Sequence, residues 1–190
     1  MTEIESKKNK IYNATLSIIE TKGIQATSIS AISKLAGVAQ GTIYLYFKNK
    51  QDLLNQLYLE IKKKLTEVAF ENFRKEKNIK LSFKIIWFNI ARFKSEFQME
   101  ASFLNLCDNY PIIDKEYREK GIALLTPLID LWNKGIKEKV IKDVSHYLLY
   151  GFTIYPINFI VNPATNKHCQ NNLEPLLDKT FEMSWNSIKF

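Results

Sequence analysis

The chain has 190 residues, 46% of them hydrophobic and 25% charged, with only 6 Gly and 5 Pro, a composition that excludes disordered and collagen-like classes. This length supports one or two domains with real cores. A formal net charge of +7 points to polyanionic partners, and it is unevenly spread: residues 1–50 carry seven Lys against three acidic side chains, net +4, whereas the other 140 residues are net +3.

The opening MTEIESKKNK lacks the apolar stretch and small-residue cleavage site of a secretory signal. The longest apolar run, LLYGFTIYPINFIV, is shorter than the roughly 20 residues a bilayer span requires. The expected location is therefore the cytoplasm, without membrane association. Two cysteines, Cys107 and Cys169, are too few for a disulfide scaffold and match no metal-ligand spacing. No metal and no cofactor are expected. No nucleophile with a base and no paired acids stand out either, so the chain is not expected to be an enzyme.

In chain order, KIYNATLSIIETKG has the apolar spacing of a first helix, with Gly23 expected as its left-handed C-cap. ATSISAISKLAG follows as a helix of about two turns, with Thr27 or Ser28 as N-cap, Ile29, Ile32, Leu35 and Ala36 on one side, and Gly37 at its end. AQGTIYLYF starts a third short helix, in which Ile43 and Phe47 face inward and Gln40, Thr42, Tyr44 and Leu45 or Tyr46 lie on other faces. NKQD has the form of a capping box, Asn49 with Asp52 three residues on, and opens a long helix through Leu54, Leu57, Ile61, Leu65 and Val68.

The rest shows no repeats and no strand-like alternation. Helical patterns recur at about 80–95, 96–107, 112–138, 143–161 and 172–188, separated by the turn chemistry of DNYP (108–111) and NPATN (162–166). Within 143–161 the stretch HYLLYGFTIYPINFIV is apolar on every side, which implies burial in a core or against a second subunit. With the apolar stripe of 172–188 it is expected to form a homodimer interface. The basic runs Lys62–Lys64 and Lys134–Lys142 are expected to be solvated helix faces. His146 and His168 match no ligand spacing.

Three short helices, the last two joined by the tight AGVA turn, make a helix-turn-helix whose second member enters a DNA major groove. Gly37 supplies the turn, and Gly41 removes a side chain where the reading helix approaches the duplex. Hydroxyls on Thr42, Tyr44 and Tyr46 can reach phosphates, Gln40 can read a base edge, and Lys48 and Lys50 flank the N-terminus of the fourth helix.

The stretch TSISAISKLAGVAQGTIYLYFKNKQDLL resembles the DNA-binding signature of the tetracycline-repressor (TetR) family of bacterial transcription regulators, with AGV, GTIY, YF and the Lys before LL in register over roughly residues 7–60. The resemblance implies an all-α fold: a three-helix DNA-binding domain over 1–50, and a helical ligand-binding and dimerisation domain over 51–190. It also implies a homodimeric regulator, most simply a repressor released from a palindromic operator by a small molecule. Carried over by residue, Gln40 meets a base and Thr27, Thr42, Tyr44, Tyr46 and Lys50 meet the backbone; with Ser28, Gly41 and Lys48 these make the DNA-binding set. Ala39 stands where many relatives have Ser, so the reading helix lacks a side-chain cap.

Twenty of the 24 Phe, Trp and Tyr residues lie beyond residue 50. Trp87, Phe88, Phe103, Tyr110, Trp132, Phe152 and Tyr155 are candidates to line a ligand cavity, with Arg92, Asn89, Asn105 and Asn158 as polar anchors. Such a pocket would take a largely apolar or aromatic molecule.

Overall fold

The computed structural model describes residues 3–73, 78–162 and 173–190, with side chains from residue 6 onward. The expected His168 and Cys169 loop and most of the turn at 162–166 lie outside these residues. Among the described residues the chain is helical throughout, and the one β feature is an isolated bridge between Ile141 and Lys189. The helices are α1 (Glu3–Lys22), α2 (Ile29–Ala36), α3 (Gln40–Tyr46), α4 (Lys50–Ala69), α5 (Ile79–Glu96), α6 (Gln98–Asn109), α7 (Lys115–Ala123), α8 (Thr126–Lys137), α9 (His146–Thr153), α10 (Tyr155–Val161) and α11 (Leu173–Ile188).

They group into two compact units that do not follow chain order: Met1–Ile61 with Met99–Lys120, and Lys62–Gln98 with Gly121–Phe190. In the first unit α1 packs on α2, and α2 on α3. Ile11, Leu16, Ile18, Ile32, Ile43 and Phe47 are all buried there. Phe47 stacks obliquely on Tyr12 at 5.6 Å between centroids. Burial, reinforced by the carboxylates of Glu60 and Asp52, pushes the Tyr12 phenol above its ordinary range.

The first half of α4 is tied to residues 99–120 within the same unit. Asn55, itself buried, donates from Nδ2 to Asp114 Oδ2 at 2.7 Å and accepts at Oδ1 from the Asp114 N–H at 3.1 Å and from Gln51 Nε2 at 3.2 Å. Gln51 Nε2 also reaches the Ile112 carbonyl at 2.9 Å. Arg118 closes the end of α6 by donating to the Cys107 carbonyl at 2.7 Å.

The second unit is built on an aromatic cluster. Phe83 on α5 lies 6.2 Å from Trp132, 5.9 Å from Phe181 and 6.2 Å from Trp185, centroid to centroid. Trp87, one turn along, is fully buried and donates its indole N–H to the Thr153 carbonyl at 2.7 Å. That carbonyl is available because its α-helical donor, the Ile157 N–H, turns instead to the Ile154 carbonyl at 3.2 Å, where Ile154 separates α9 from α10 just before Pro156. The continuous 143–161 pattern is thus two short helices. The 112–138 pattern likewise divides at Leu124–Leu125, ahead of Thr126 and Pro127, into α7 and α8.

Two further expectations are corrected. Gly23 has positive φ, but its angles of 78° and 168° are not those of a left-handed cap, and the chain leaves α1 into a 3-10 turn, Ile24–Ala26. The Lys62–Lys64 run is not a uniformly solvated face: Lys62 is buried, and the Lys64 ammonium sits 3.4 Å over the Phe97 ring. Long methylene stems let lysine cover apolar surface while the charge finds a partner.

Candidate nucleic-acid interface

The helix-turn-helix is set by local chemistry at each joint. Ser28 is the N-cap of α2, its hydroxyl accepting from the Ala31 N–H at 3.1 Å. Gly37 closes α2 at φ 65° and ψ 34°, a left-handed conformation that costs a side-chain-bearing residue strain, and Val38 N–H returns to the Ser33 carbonyl at 3.1 Å. Ala39 then begins α3 without a side-chain cap, as expected from its sequence. At the far end Asn49 caps α4 through the Asp52 N–H at 2.9 Å. Asp52 answers to the Lys48 N–H at 2.8 Å, so the capping box closes one residue earlier than its usual form.

The rotation of α3 decides which side chains face outward. Ile43 is fully buried and marks the inward direction. At about 100° per residue, Gly41 and Leu45 then lie roughly 160° and 200° away, on the line opposite the core. Gln40 and Tyr44 occupy one flank, Thr42 and Tyr46 the other. Exposure agrees: Leu45 is 82% and Tyr44 54% accessible, while Gln40 and Gly41 are exposed and Thr42 and Tyr46 half-buried.

Gly41 is in ordinary helical conformation, and a Cβ built on it meets nothing within 4 Å. Among the described residues nothing requires a glycine there, although in mid-helix it costs about 0.5–1 kcal/mol relative to alanine.

The remaining members of the expected set divide. Lys48 is exposed beside α3. Lys50 is half-buried, with Nζ at 3.3 Å from the Ile24 carbonyl. Thr27 lies in the core at 1% exposure with its hydroxyl donating to the Gly23 carbonyl, so it serves the turn after α1 and is not on the outer face. Leu45, the most exposed side chain of α3, lies outside the expected set, although the inward position of Ile43 places it on the outer line of the helix.

The residues expected to line a cavity are divided between the two units. Phe103 and Tyr110 belong to the first unit, Phe103 buried and Tyr110 exposed beside an open hollow of ≈ 460 Å³ on α6 formed with Ser102, Asn105, Leu106 and Asn109. Trp87, Phe88 and Trp132 pack in or beside the aromatic cluster of the second unit, while Phe152 and Tyr155 are on its surface. Arg92 is exposed and bonds to Glu71, which holds its guanidinium above its ordinary range. Asn89 closes the end of α4 through the Ala69 and Glu71 carbonyls, and Asn158 accepts from the buried Lys94 ammonium. Asn105 accepts from Asn109 on the same helix. His146 shares a 2.7 Å hydrogen bond with Asn133. Two polar atoms of the second unit, Ser82 Oγ on α5 and Trp132 Nε1 on α8, are buried without a hydrogen-bond partner.

Comparison with known proteins bears on both units. Residues 11–57, which contain the whole helix-turn-helix, match the sequence model described as bacterial regulatory proteins of the tetR family. The chain is 35% identical over 150 residues to the HTH-type transcriptional regulator BetI of Vibrio campbellii, covering 77% of this chain and 75% of that protein. With another curated regulator the likeness is higher, 45%, but spans 60 residues and only 31% of that protein's length. The fold is that of a TetR-family transcription regulator from Marinobacter aquaeolei VT8, with a TM-score of 0.88 at 21% identity over 97% of this chain and 96% of the other. The transcriptional regulator FadR of Bacillus subtilis, solved in complex with stearoyl-CoA, aligns with a TM-score of 0.71 at 23% identity over 93% and 96%. No helix among the described residues is long and apolar enough to cross a membrane. With its reading head and helical second unit both accounted for, the chain belongs to the tetR family of bacterial transcription regulators.

Proposed function

We propose that this regulator is a cytoplasmic homodimeric repressor that leaves a palindromic operator when a small, largely apolar molecule binds its helical domain. The observation that carries the DNA half of this reading is the outer surface of α3. Gln40, Thr42, Tyr44 and Tyr46 flank a line with no side chain at Gly41, on the segment where positive charge is concentrated. Gln40 is assigned to a base edge, and Thr42, Tyr44, Tyr46, Ser28, Lys48 and Lys50 to phosphates. Two such heads related by a two-fold axis require half-sites a helical turn, or a multiple of it, apart.

The effector half rests on the second unit. Its core is a buried aromatic cluster, and within the described residues Ser82 Oγ and Trp132 Nε1 are buried polar groups without partners. Such groups typically cost about 1–3 kcal/mol each, which a ligand with one polar group on an apolar body would recover. A FadR protein of the same fold accommodates stearoyl-CoA, in keeping with an effector of this kind. α4 contributes residues to both units, so a change in its course is the route by which occupancy reaches the head. The effector acts only to the extent that it binds the released state more tightly, a coupling of typically ~1–3 kcal/mol.

The test is binding of the purified protein to DNA flanking its own gene against a scrambled duplex, at several fixed salt concentrations. A preference of several hundredfold with a footprint of two symmetric half-sites is expected. Equal binding to the scrambled duplex and to sites selected from a random pool would sink the sequence-specific reading.

A further inference from the structure

Leu45 is an anomaly that the phosphate and base-edge assignments leave unused. It is an aliphatic side chain, 82% exposed, in the middle of a seven-residue helix whose other outward positions are Gly, Gln, Thr and Tyr. Its exposure is not a local accident of fraying, because Phe47 N–H still bonds to the Ile43 carbonyl at 3.0 Å and Phe47 is buried just beyond. It is also one turn from Gly41 on the same outward line, at the spacing of four that stacks side chains along one face. Gly41 presents no Cβ, and Leu45 projects beyond the helix backbone on the same side. An approaching surface therefore meets backbone at Gly41 and four carbons at Leu45.

The major groove offers only one apolar group to such a side chain, the C5 methyl of thymine. Tyr44 on the neighbouring flank carries a hydroxyl that can be spent on a phosphate, and Gln40 an amide that can be spent on a base edge. Leu45 can do neither.

We propose that Leu45 is a specificity-determining residue that packs on a thymine methyl in each operator half-site, the bare backbone at Gly41 allowing α3 to come close enough for this contact. The inference rests on the reading of α3 as the recognition helix. Burying one methyl of this kind corresponds to about fourfold in affinity, and about fifteenfold when both half-sites of a dimer site are changed together.

The experiment uses the full-length protein and a duplex selected from a randomised pool by the wild type. Each thymine is replaced in turn, symmetrically in both half-sites, by deoxyuridine, which removes the methyl and leaves every hydrogen-bonding group. Wild type is expected to lose about tenfold or more at one thymine pair. Leu45→Ala should bind the parent duplex less tightly, be indifferent to deoxyuridine at that pair, and yield a selected site relaxed at that position. Leu45→Met should restore the discrimination, and thermal melting should show all three proteins equally folded. If Leu45→Ala keeps the wild-type loss at every thymine, or if no thymine is sensitive in the wild type, the assignment of Leu45 is overturned while sequence-specific binding stands. If wild type selects no sequence at all, the recognition-helix reading falls with it.

Discussion

Two of the regions that leave large apolar side chains in water do so differently. On α3, Tyr44 and Leu45 are interleaved with Gln, Gly and Thr and followed by Lys48 and Lys50. On α9 and α10, Tyr147 at 84% exposure, Phe152 and Phe159 stand in a segment, residues 147–162, without a single charged residue. An apolar group set among hydroxyls, amides and ammonium groups fits a polyanion with a few methyls. An uncharged aromatic surface fits another protein surface, and a second copy of itself most directly. Exposure alone does not distinguish these uses; the neighbours of the exposed residue do.

The comparison can be broken most forcefully at α9 and α10. Phe152→Glu together with Phe159→Glu would place two pairs of like charges in a self-complementary interface, at a cost of several kcal/mol. Sedimentation should show monomers at concentrations where the wild type is dimeric, with operator affinity falling in parallel and helicity retained. A dimer that survives this pair would move the interface elsewhere.

Next in size is Tyr44→Ala. It should lower operator affinity about tenfold or more without changing the melting temperature, because more than half of that side chain is already in water. A loss of stability equal to the loss of binding would make Tyr44 a packing residue.

Gly41→Ala sharpens the contrast by separating two signs. The new Cβ meets nothing within the chain, so the fold should gain about 0.5–1 kcal/mol in chemical denaturation while operator binding weakens. Both quantities rising together would show that nothing approaches Gly41 closely.

Asn49→Ala removes the α4 cap and should cost typically ~1 kcal/mol in chemical denaturation. The smallest effect is that of Lys50→Ala, which should lower by about one the slope of log affinity against log salt. An unchanged slope would remove Lys50 from the phosphate contacts and leave it to its bond with the Ile24 carbonyl.

How much of this was legible beforehand depended on range. Ser28, Gly37 and Asn49 announce their roles through bonds to residues three to five positions away, so the boundaries of α2, α3 and α4 could be read directly. The same local logic placed Ile43 and Phe47 inward. It failed where apolar periodicity ran through a break: Leu124–Leu125 and Ile154 continue the hydrophobic pattern, and only Pro127 and Pro156 nearby mark where the helices divide. The position of Thr27 was not legible because the pattern does not say whether a hydroxyl turns to solvent or to the Gly23 carbonyl. The cavity residues were the least legible, since whether an aromatic fills or lines a space depends on contacts such as Phe83 with Phe181, 98 positions apart. For Leu45 the information lies in the inward position of Ile43, from which the rotation of α3 follows.

The discontinuity of the first unit has a bearing on recombination between regulators. Asn55 is buried because Asp114, 59 residues later, covers it and satisfies both ends of its amide. Tyr58, also buried, has its phenol held above the ordinary range by burial and by the nearby Asp108 carboxylate. A reading head transplanted with a seam beyond these positions would carry Asn55 and Tyr58 into a host that lacks their partners, exposing an amide and an aromatic ring selected for the interior. A seam before Gln51 leaves the clamp with its native α6 and α7, and asks of the host an acidic residue at position 52 to answer Asn49 and Lys48. Interchangeable specificity in this scaffold is therefore a property of residues up to Lys50, and the first turns of α4 belong, for purposes of exchange, to the body that receives the head.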